Sequence, residues 1–207
     1  MSVSSAQKRS LEEAVQAYAV QIDAAKDYLL GRGLTHHVAV TRRLGVCVDP
    51  LIGHEAYQGR LVIPYLTPSG VVDIRFRTMD PDTDAPKYMS RPGSEVRMFG
   101  VNAFTVDSDM IAVCEGEMDS IVLQDIVGVP AVGIPGANAW KGFYFRAFED
   151  YRRVLVYADG DPAGKEFAKK VATSIEAAVI IQMPDGMDVN SLYLSEGPDG
   201  LRKRSGL

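Results

Sequence analysis

Apolar positions recur at helical spacing from early in the chain: Leu11, Ala14, Val15, Tyr18, Ile22, Ala25 and Leu29 define one face. Ser10 with Glu13 has the spacing of a capping box, and Gly31 and Gly33 supply the stop. A second, shorter helix is predicted over residues 35–44, ending at Gly45. From Gly59 the period changes to two. GRLVIPYL and VVDIRFRTM flank the turn Thr67-Pro68-Ser69-Gly70, which predicts a β-hairpin. Alternation in its second strand puts Asp73, Arg75 and Arg77 on one face and Ile74 and Phe76 on the other. The following MDPDTDAPKYMSRPGSEVRMFG is polar and rich in Pro and Gly, and reads as a loop of a length that is often functional.

After Asp107 strand and helix alternate. IAVC, PAVGI, RVLVYA and VIIQM read as strands. EGEMDSIVLQDIV, part of ANAWKGFYFRAFEDY, and PAGKEFAKKVATSIEAA read as helices, the last with Phe167, Val171 and Ile175 on one face. This order predicts an α/β fold with a mostly parallel sheet covered by helices on both faces. The chain thus divides into a smaller mixed α+β subdomain, residues 1–106, and an α/β domain, residues 107–207. The final SEGPDGLRKRSGL is polar, and its Arg202, Lys203 and Arg204 read as a frayed tail.

Composition narrows the classes. Hydrophobic residues make up 46% and charged residues 24% of 207, which excludes disordered and fibrous chains. No apolar run approaches the ~18 residues needed to cross a bilayer, and MSVSSAQKRS lacks an apolar core for secretion. Cys47 and Cys114 form no CxxC pair, and two cysteines with three scattered histidines are too few for a zinc ribbon. The adjacent His36 and His37 point about 100° apart on a helix and read as a solvated face. No disulfide scaffold, no zinc and a reducing cytoplasm are expected. The net charge of −5 hides an asymmetry: residues 1–105 carry 12 Lys/Arg and 11 Asp/Glu, whereas 106–207 carry 10 and 16. Local patches of both signs are therefore permitted.

Ligands of such sheets gather at the carboxyl ends of the strands. IAVC is followed by Glu115, Glu117 and Asp119, VLVYA by Asp159 and Asp161, and VIIQM by Asp185 and Asp188. Like charges at one rim raise each other's pKa, and a hard divalent cation resolves the conflict. Alternation in Asp159-Gly160-Asp161 can aim both acids to one side. Gly160 permits a positive φ and close approach of a phosphate, and Pro162 suits a first helical turn. Either motif alone is commonly a turn or helix cap. Together, at successive strand ends, they point to a metal site.

CEGEMDSIVL followed by VYADGDPAGKEFA resembles the Toprim domain, the Rossmann-like metal-binding fold of bacterial-type primases, type IA and II topoisomerases and some nucleases. YLLGRGLT, LGVCVDP, GRLVIPYLTPSGVVDIRFR, APKYMSRPG and MFGVNAF occur in the order seen in the RNA polymerase core of bacterial-type DNA primases, and MPDGMDVNSLYL resembles the third acidic motif. The likeness spans about residues 28–194. It implies that Glu115 orients metal or acts as a general acid/base, that Asp159 and Asp161 are catalytic metal ligands, and that Asp119 and Asp188 complete the patch. It further implies that Arg60, Arg75, Arg77 and Lys87 hold template phosphates or incoming nucleoside triphosphates; a solvated strand face paired with Asp73 and Asp82 is the alternative.

The pattern is departed from at Asn190, where a second aspartate is usual, at Glu117, where an aromatic is common, and at Arg97, an imperfect match to the basic residue before MFG. The resemblance implies a Mg²⁺- or Mn²⁺-dependent primase core, phage or mobile-element encoded, making short RNA on single-stranded DNA from ribonucleoside triphosphates. The usual zinc-binding module and replicative helicase would act in trans. A Toprim phosphodiesterase that cuts strands, and a non-catalytic core that binds single strands or a helicase, are the alternatives.

Overall fold

The first helix, α1 (Ser5–Ala19), starts at an N-cap Ser4, whose Oγ accepts from the Gln7 amide at 3.2 Å while the Ser4 amide donates to Gln7 Oε1 at 2.9 Å. The computed structural model describes residues 4–136 and 139–207. The capping box expected at Ser10 and Glu13 is therefore misplaced. Ala6, Gln7, Lys8 and Arg9 are good helix formers, so the helix runs back to the earlier cap. Leu11, Ala14, Val15 and Tyr18 form its buried face. The apolar stripe continues, but not on one helix: a 3₁₀ turn over Ile22–Ala25 and α2 (Lys26–Gly31) bury Ile22, Ala25 and Leu29. Gly33, at φ 69°, ends α2 as expected.

Helix α3 (His36–Thr41) is capped by Thr35, whose hydroxyl accepts from the Val38 amide, and it ends at Arg43, at φ 53°, rather than at Gly45. Gly45 begins β1 (Gly45–Val46), where a Cβ would lie 2.4 Å from the Tyr18 carbonyl. The glycine is needed for close approach, not for a helix stop. His36 and His37 are exposed, with His36 Nε2 3.7 Å from Asp23 in solvent.

β2 (Leu61–Thr67) and β3 (Gly70–Arg77) form the expected hairpin, closed at the Thr67–Gly70 pair. A short β4 (Tyr88–Ser90) pairs with β3 inside the stretch read as loop; three residues flanked by Pro and Gly are too few to show alternation. The sheet is antiparallel in the order β1-β2-β3-β4. Ile74 and Phe76 pack into a core with Leu11, Val15 and Tyr18, and Tyr57 stacks on Phe76 at 3.9 Å. This first unit is residues Met1–Glu95; the second is Val96–Leu207.

In the second unit β5 (Met110–Cys114), β6 (Ala131–Gly133), β7 (Arg153–Ala158) and β8 (Ala178–Gln182) form a parallel sheet in the order β6-β5-β7-β8. α4 (Glu117–Ile121), continued by a π-helical turn over Val122–Val127, connects β5 to β6, and α5 (Pro162–Ser174) connects β7 to β8. These two crossovers run in opposite directions from the central pair, and the right-handed rule places their helices on opposite faces. Between β6 and β7 the described chain carries a 3₁₀ turn, Tyr144–Phe148; Ala137 and Asn138 of the expected helical segment lie outside the described residues.

The C-terminus corrects the frayed-tail expectation. Helix α6 (Val189–Ser205) passes through a kink at Gly197 (φ 71°) and Pro198, resumes, and buries Leu201 and Ser205. Tyr157 bonds the Ser205 hydroxyl at 2.6 Å, and Arg202 Nη2 donates to the Val127 and Ile126 carbonyls at 3.0 and 3.3 Å. Arg202 thus satisfies carbonyls left open by the π-helical turn. No helix among the described residues is long and apolar enough to cross a membrane.

Candidate metal centre

β5 and β7 are hydrogen-bonded neighbours from which the chain departs to opposite faces, which makes the gap between their carboxyl ends the topological switch point. Glu115 is the first residue beyond β5 and Asp159 the first beyond β7. Burial, then the charges of Asp161 and Asp119, push the Glu115 carboxyl up to about 7. Its Oε1 is buried and has no hydrogen-bond partner among the described residues. Acids carried by separate loops therefore do act on one another at this rim.

The remaining acids are engaged individually. Asp161 is the N-cap of α5, accepting from the Gly164 amide at 2.7 Å, with Pro162 in the first turn as expected. Asp188 caps α6 by accepting from the Ser191 amide at 2.7 Å. Asp119, buried, accepts from the Asn190 amide at 3.0 Å and so ties α4 to α6. Glu117 and Asn190 are buried as well. Asp185 is exposed, 3.5 Å from Lys165 Nζ.

Gly160 serves a different purpose from the one expected. Its φ is not positive. A Cβ there would lie 1.7 Å from the Pro184 carbonyl oxygen, the Gly160 amide donates to Met187 O at 2.8 Å, and the Gly186 amide donates back to Gly160 O at 2.9 Å. The glycine lets the two acid-bearing loops interlock. Sequence reasoning missed Gln182, whose Nε2 reaches the Ala158, Asp159 and Met183 carbonyls at 3.3, 3.1 and 3.2 Å and pins the Asp159 loop; a glutamine closing a strand gives no sequence signal. Cys114 is buried, and burial with the Asp119, Asp159 and Glu117 charges holds its thiol protonated.

Among the described residues no three His, Cys, Asp or Glu side chains gather closely enough to hold an ion. Helix caps compete for the same oxygens. The donor set nonetheless fits a hard cation: it is all oxygen, and the partnerless Glu115 Oε1 lies among mutually repelling acids. Glu115 also gives a pH signature. Its folded-state pKa lies above the ordinary 4.5, so the fold favours the protonated form. The associated stabilisation is complete below about pH 4.5 and is lost as pH rises through about 7. Discounted for screening at a half-buried group, the effect is about 1–2 kcal/mol. Urea midpoints in EDTA at pH 5 and pH 8 are expected to differ less in Glu115→Gln than in the unmodified chain; equal pH dependence would contradict this.

In the first unit Arg75 and Arg77 are organised by aromatics. Arg60 is buried and donates to the Pro86 carbonyl at 2.8 Å. Arg77, buried, bonds the Tyr88 hydroxyl and lies 6.0 Å from the Tyr28 ring centroid, while Arg75 stacks over Tyr88 at 4.2 Å. Lys87 is exposed. Asp73 accepts from Arg91 at 3.0 Å and Ser94 at 2.9 Å. Tyr28, Tyr88 and Arg91 were not singled out in the sequence, because nothing in its alternation links positions so far apart.

Residues 110–199 match the Toprim domain family. The chain is 44% identical over 153 residues to Gene 57 protein of Mycobacterium phage D29, covering 72% of this chain and 99% of that protein. It is 26% identical over 226 residues to DNA primase of Pseudomonas aeruginosa, covering 87% of this chain but 34% of the primase, so it spans about a third of that protein's length. The catalytic domain of DnaG primase bound to single-stranded DNA superposes with a TM-score of 0.76 at 21% identity, over 97% of this chain and 79% of that one. The chain belongs to the family of the phage Gene 57 protein, with a Toprim domain set in the fold of the bacterial-type primase catalytic core.

Proposed function

We propose that this chain is a DNA primase catalytic core, performing metal-dependent, template-directed synthesis of short RNA on single-stranded DNA. The observation that carries the reading is the carboxyl rim at the switch point, where burial and then Asp161 and Asp119 raise the Glu115 carboxyl, whose Oε1 has no hydrogen-bond partner among the described residues. Glu115, Asp159 and Asp161, supported by Asp119 and Asp188, would hold Mg²⁺ or Mn²⁺, which when bound stabilises polyphosphate charge and activates a 3′ hydroxyl. Arg75 and Lys87 would contact template or triphosphate oxygens, with Arg60 and Arg77 bracing the segment that carries them. Ribonucleoside triphosphates and a single-stranded DNA template are the substrates of this reading. A replicative helicase and a zinc-binding module in trans are its partners, and the cytoplasm its compartment.

The test is primer synthesis by the full chain on single-stranded DNA with ribonucleotides and Mg²⁺ or Mn²⁺. Template-dependent RNA is expected; no product under either ion would overturn the reading. Metal-dependent cleavage of labelled DNA without nucleotides would indicate the phosphodiesterase instead. One observation favours a non-catalytic single-strand or helicase-binding core: no three donors gather among the described residues. Metal-independent strand binding without turnover is its signature.

A further inference from the structure

The segment between β6 and β7 has a role that neither the acidic rim nor the sheet core uses. It begins beside the rim, where the Gly136 amide donates to the Glu115 carbonyl at 3.4 Å. Of the seven phenylalanines only Phe143 is exposed, at 60%. Its ring meets Tyr144 edge-on at 5.0 Å, and Tyr144 in turn meets Trp140 at 5.6 Å. Trp140 is buried and packs against Phe148 at 5.9 Å, in the sheet core. A solvent-facing ring is thus linked edge-on, through Tyr144 and Trp140, to the sheet core.

Cations lie at the neighbouring rings. Lys141 Nζ lies 5.9 Å from the Tyr144 centroid and the Arg146 guanidinium 5.9 Å from that of Phe145. Arg97 is close enough to Tyr144 to oppose the upward push of burial on its phenol. Residues 139–148 contain no carboxylate; Glu149 follows them and lines a cavity with Phe145, Ser174 and Glu176. An exposed aromatic π-face flanked by cations is the chemistry that takes a nucleobase and its phosphates together. Lysine is depleted at protein–protein interfaces, so Lys141 beside the rings favours a polyanion over a protein partner.

We propose that Phe143 and Tyr144, with Lys141 and Arg97 beside Tyr144 and Arg146 farther along the segment, form a base-stacking platform for single-stranded DNA. This rests on the primase reading for its biological setting, but its test uses neither metal nor nucleotides. The full chain in EDTA is titrated with a fluorescein-labelled oligothymidylate and with an abasic strand of equal length, read by anisotropy and by the fluorescence of Trp140, the single tryptophan.

The base-bearing strand is expected to bind about tenfold tighter than the abasic one. Phe143→Ala removes that difference without weakening abasic binding, and Phe143→Trp restores it. Lys141→Gln with Arg146→Gln weakens both strands and lowers the slope of log K against log salt by about 1–2. The proposal is overturned if the unmodified chain binds neither strand or shows no preference for bases. It is equally overturned if Phe143→Ala binds as tightly as the unmodified chain or loses both strands equally. Base-dependent binding without primer synthesis would sink the primase reading and leave the platform standing. Synthesis with a base-indifferent Phe143 would do the reverse.

Discussion

Asp159→Ala is expected to lower primer synthesis at least about 100-fold while leaving the fold intact. Asp159 stands directly after β7, at the switch point, on a loop pinned by the Gln182 amide. Loss of a residue that merely orients a metal ligand commonly costs 10–100-fold, so loss of a ligand sets a floor of about 100-fold. Asp188→Ala provides the contrast. That carboxylate caps α6, so its removal is expected to cost about 1 kcal/mol of stability and less of the synthesis rate. Synthesis rates, Mn²⁺ binding by water-proton relaxation and melting curves of the three proteins separate the cases. Wild-type synthesis by Asp159→Ala would remove the carboxyl rim from the reaction.

That Asp159 stood out in the sequence at all follows from how α/β domains encode themselves. Buried parallel strands are short apolar runs, so IAVC, RVLVYA and VIIQM mark their own ends, and the acids after them are located without any contact being known. The hairpin was legible for a similar reason: Ile74 and Phe76 alternate against Arg75 and Arg77. Signals that depend on choosing between equivalent local options were not decided by the sequence. Ser4 and Ser10 both fit a helix cap, and only the uninterrupted run of helix formers between them selects the first. Gly45 reads as a helix stop and Gly160 as room for a positive φ and a phosphate, whereas each admits another backbone at contact distance, Tyr18 in one case and Pro184 in the other. Gly197-Pro198 looked like an end. The helix continues because Leu201 finds the core and Arg202 finds the π-helical carbonyls, both non-local facts. The same limit applied to Arg60 and Arg77. Their charge was visible, while their burial against Pro86 and Tyr88 depends on where residues 80–88 return.

Gly160 gives the most demanding structural test, because one methyl group there is expected to separate the two acid-bearing loops. The added Cβ would fall 1.7 Å from the Pro184 carbonyl oxygen and 2.9 Å from the Gly186 amide, backbone atoms that cannot rotate away. The loops must move apart, and the paired bonds between Gly160 and residues 186–187 go with them. Overpacking of this kind costs about 3 kcal/mol or more. For a chain of this size that lowers the melting temperature by roughly 6–12 °C. Gly186→Ala is the matched control: φ is +74° but the space is open, so only backbone strain of about 1–2 kcal/mol is incurred. The larger loss at Gly160 should also reach function. Asp161 caps α5 and Asp188 caps α6, so pushing the loops apart displaces the starts of both helices and the acids they carry. A Gly160→Ala protein melting within about 2 °C of the unmodified chain would mean that the loops part at little cost. The rim would then owe its geometry to the strands alone.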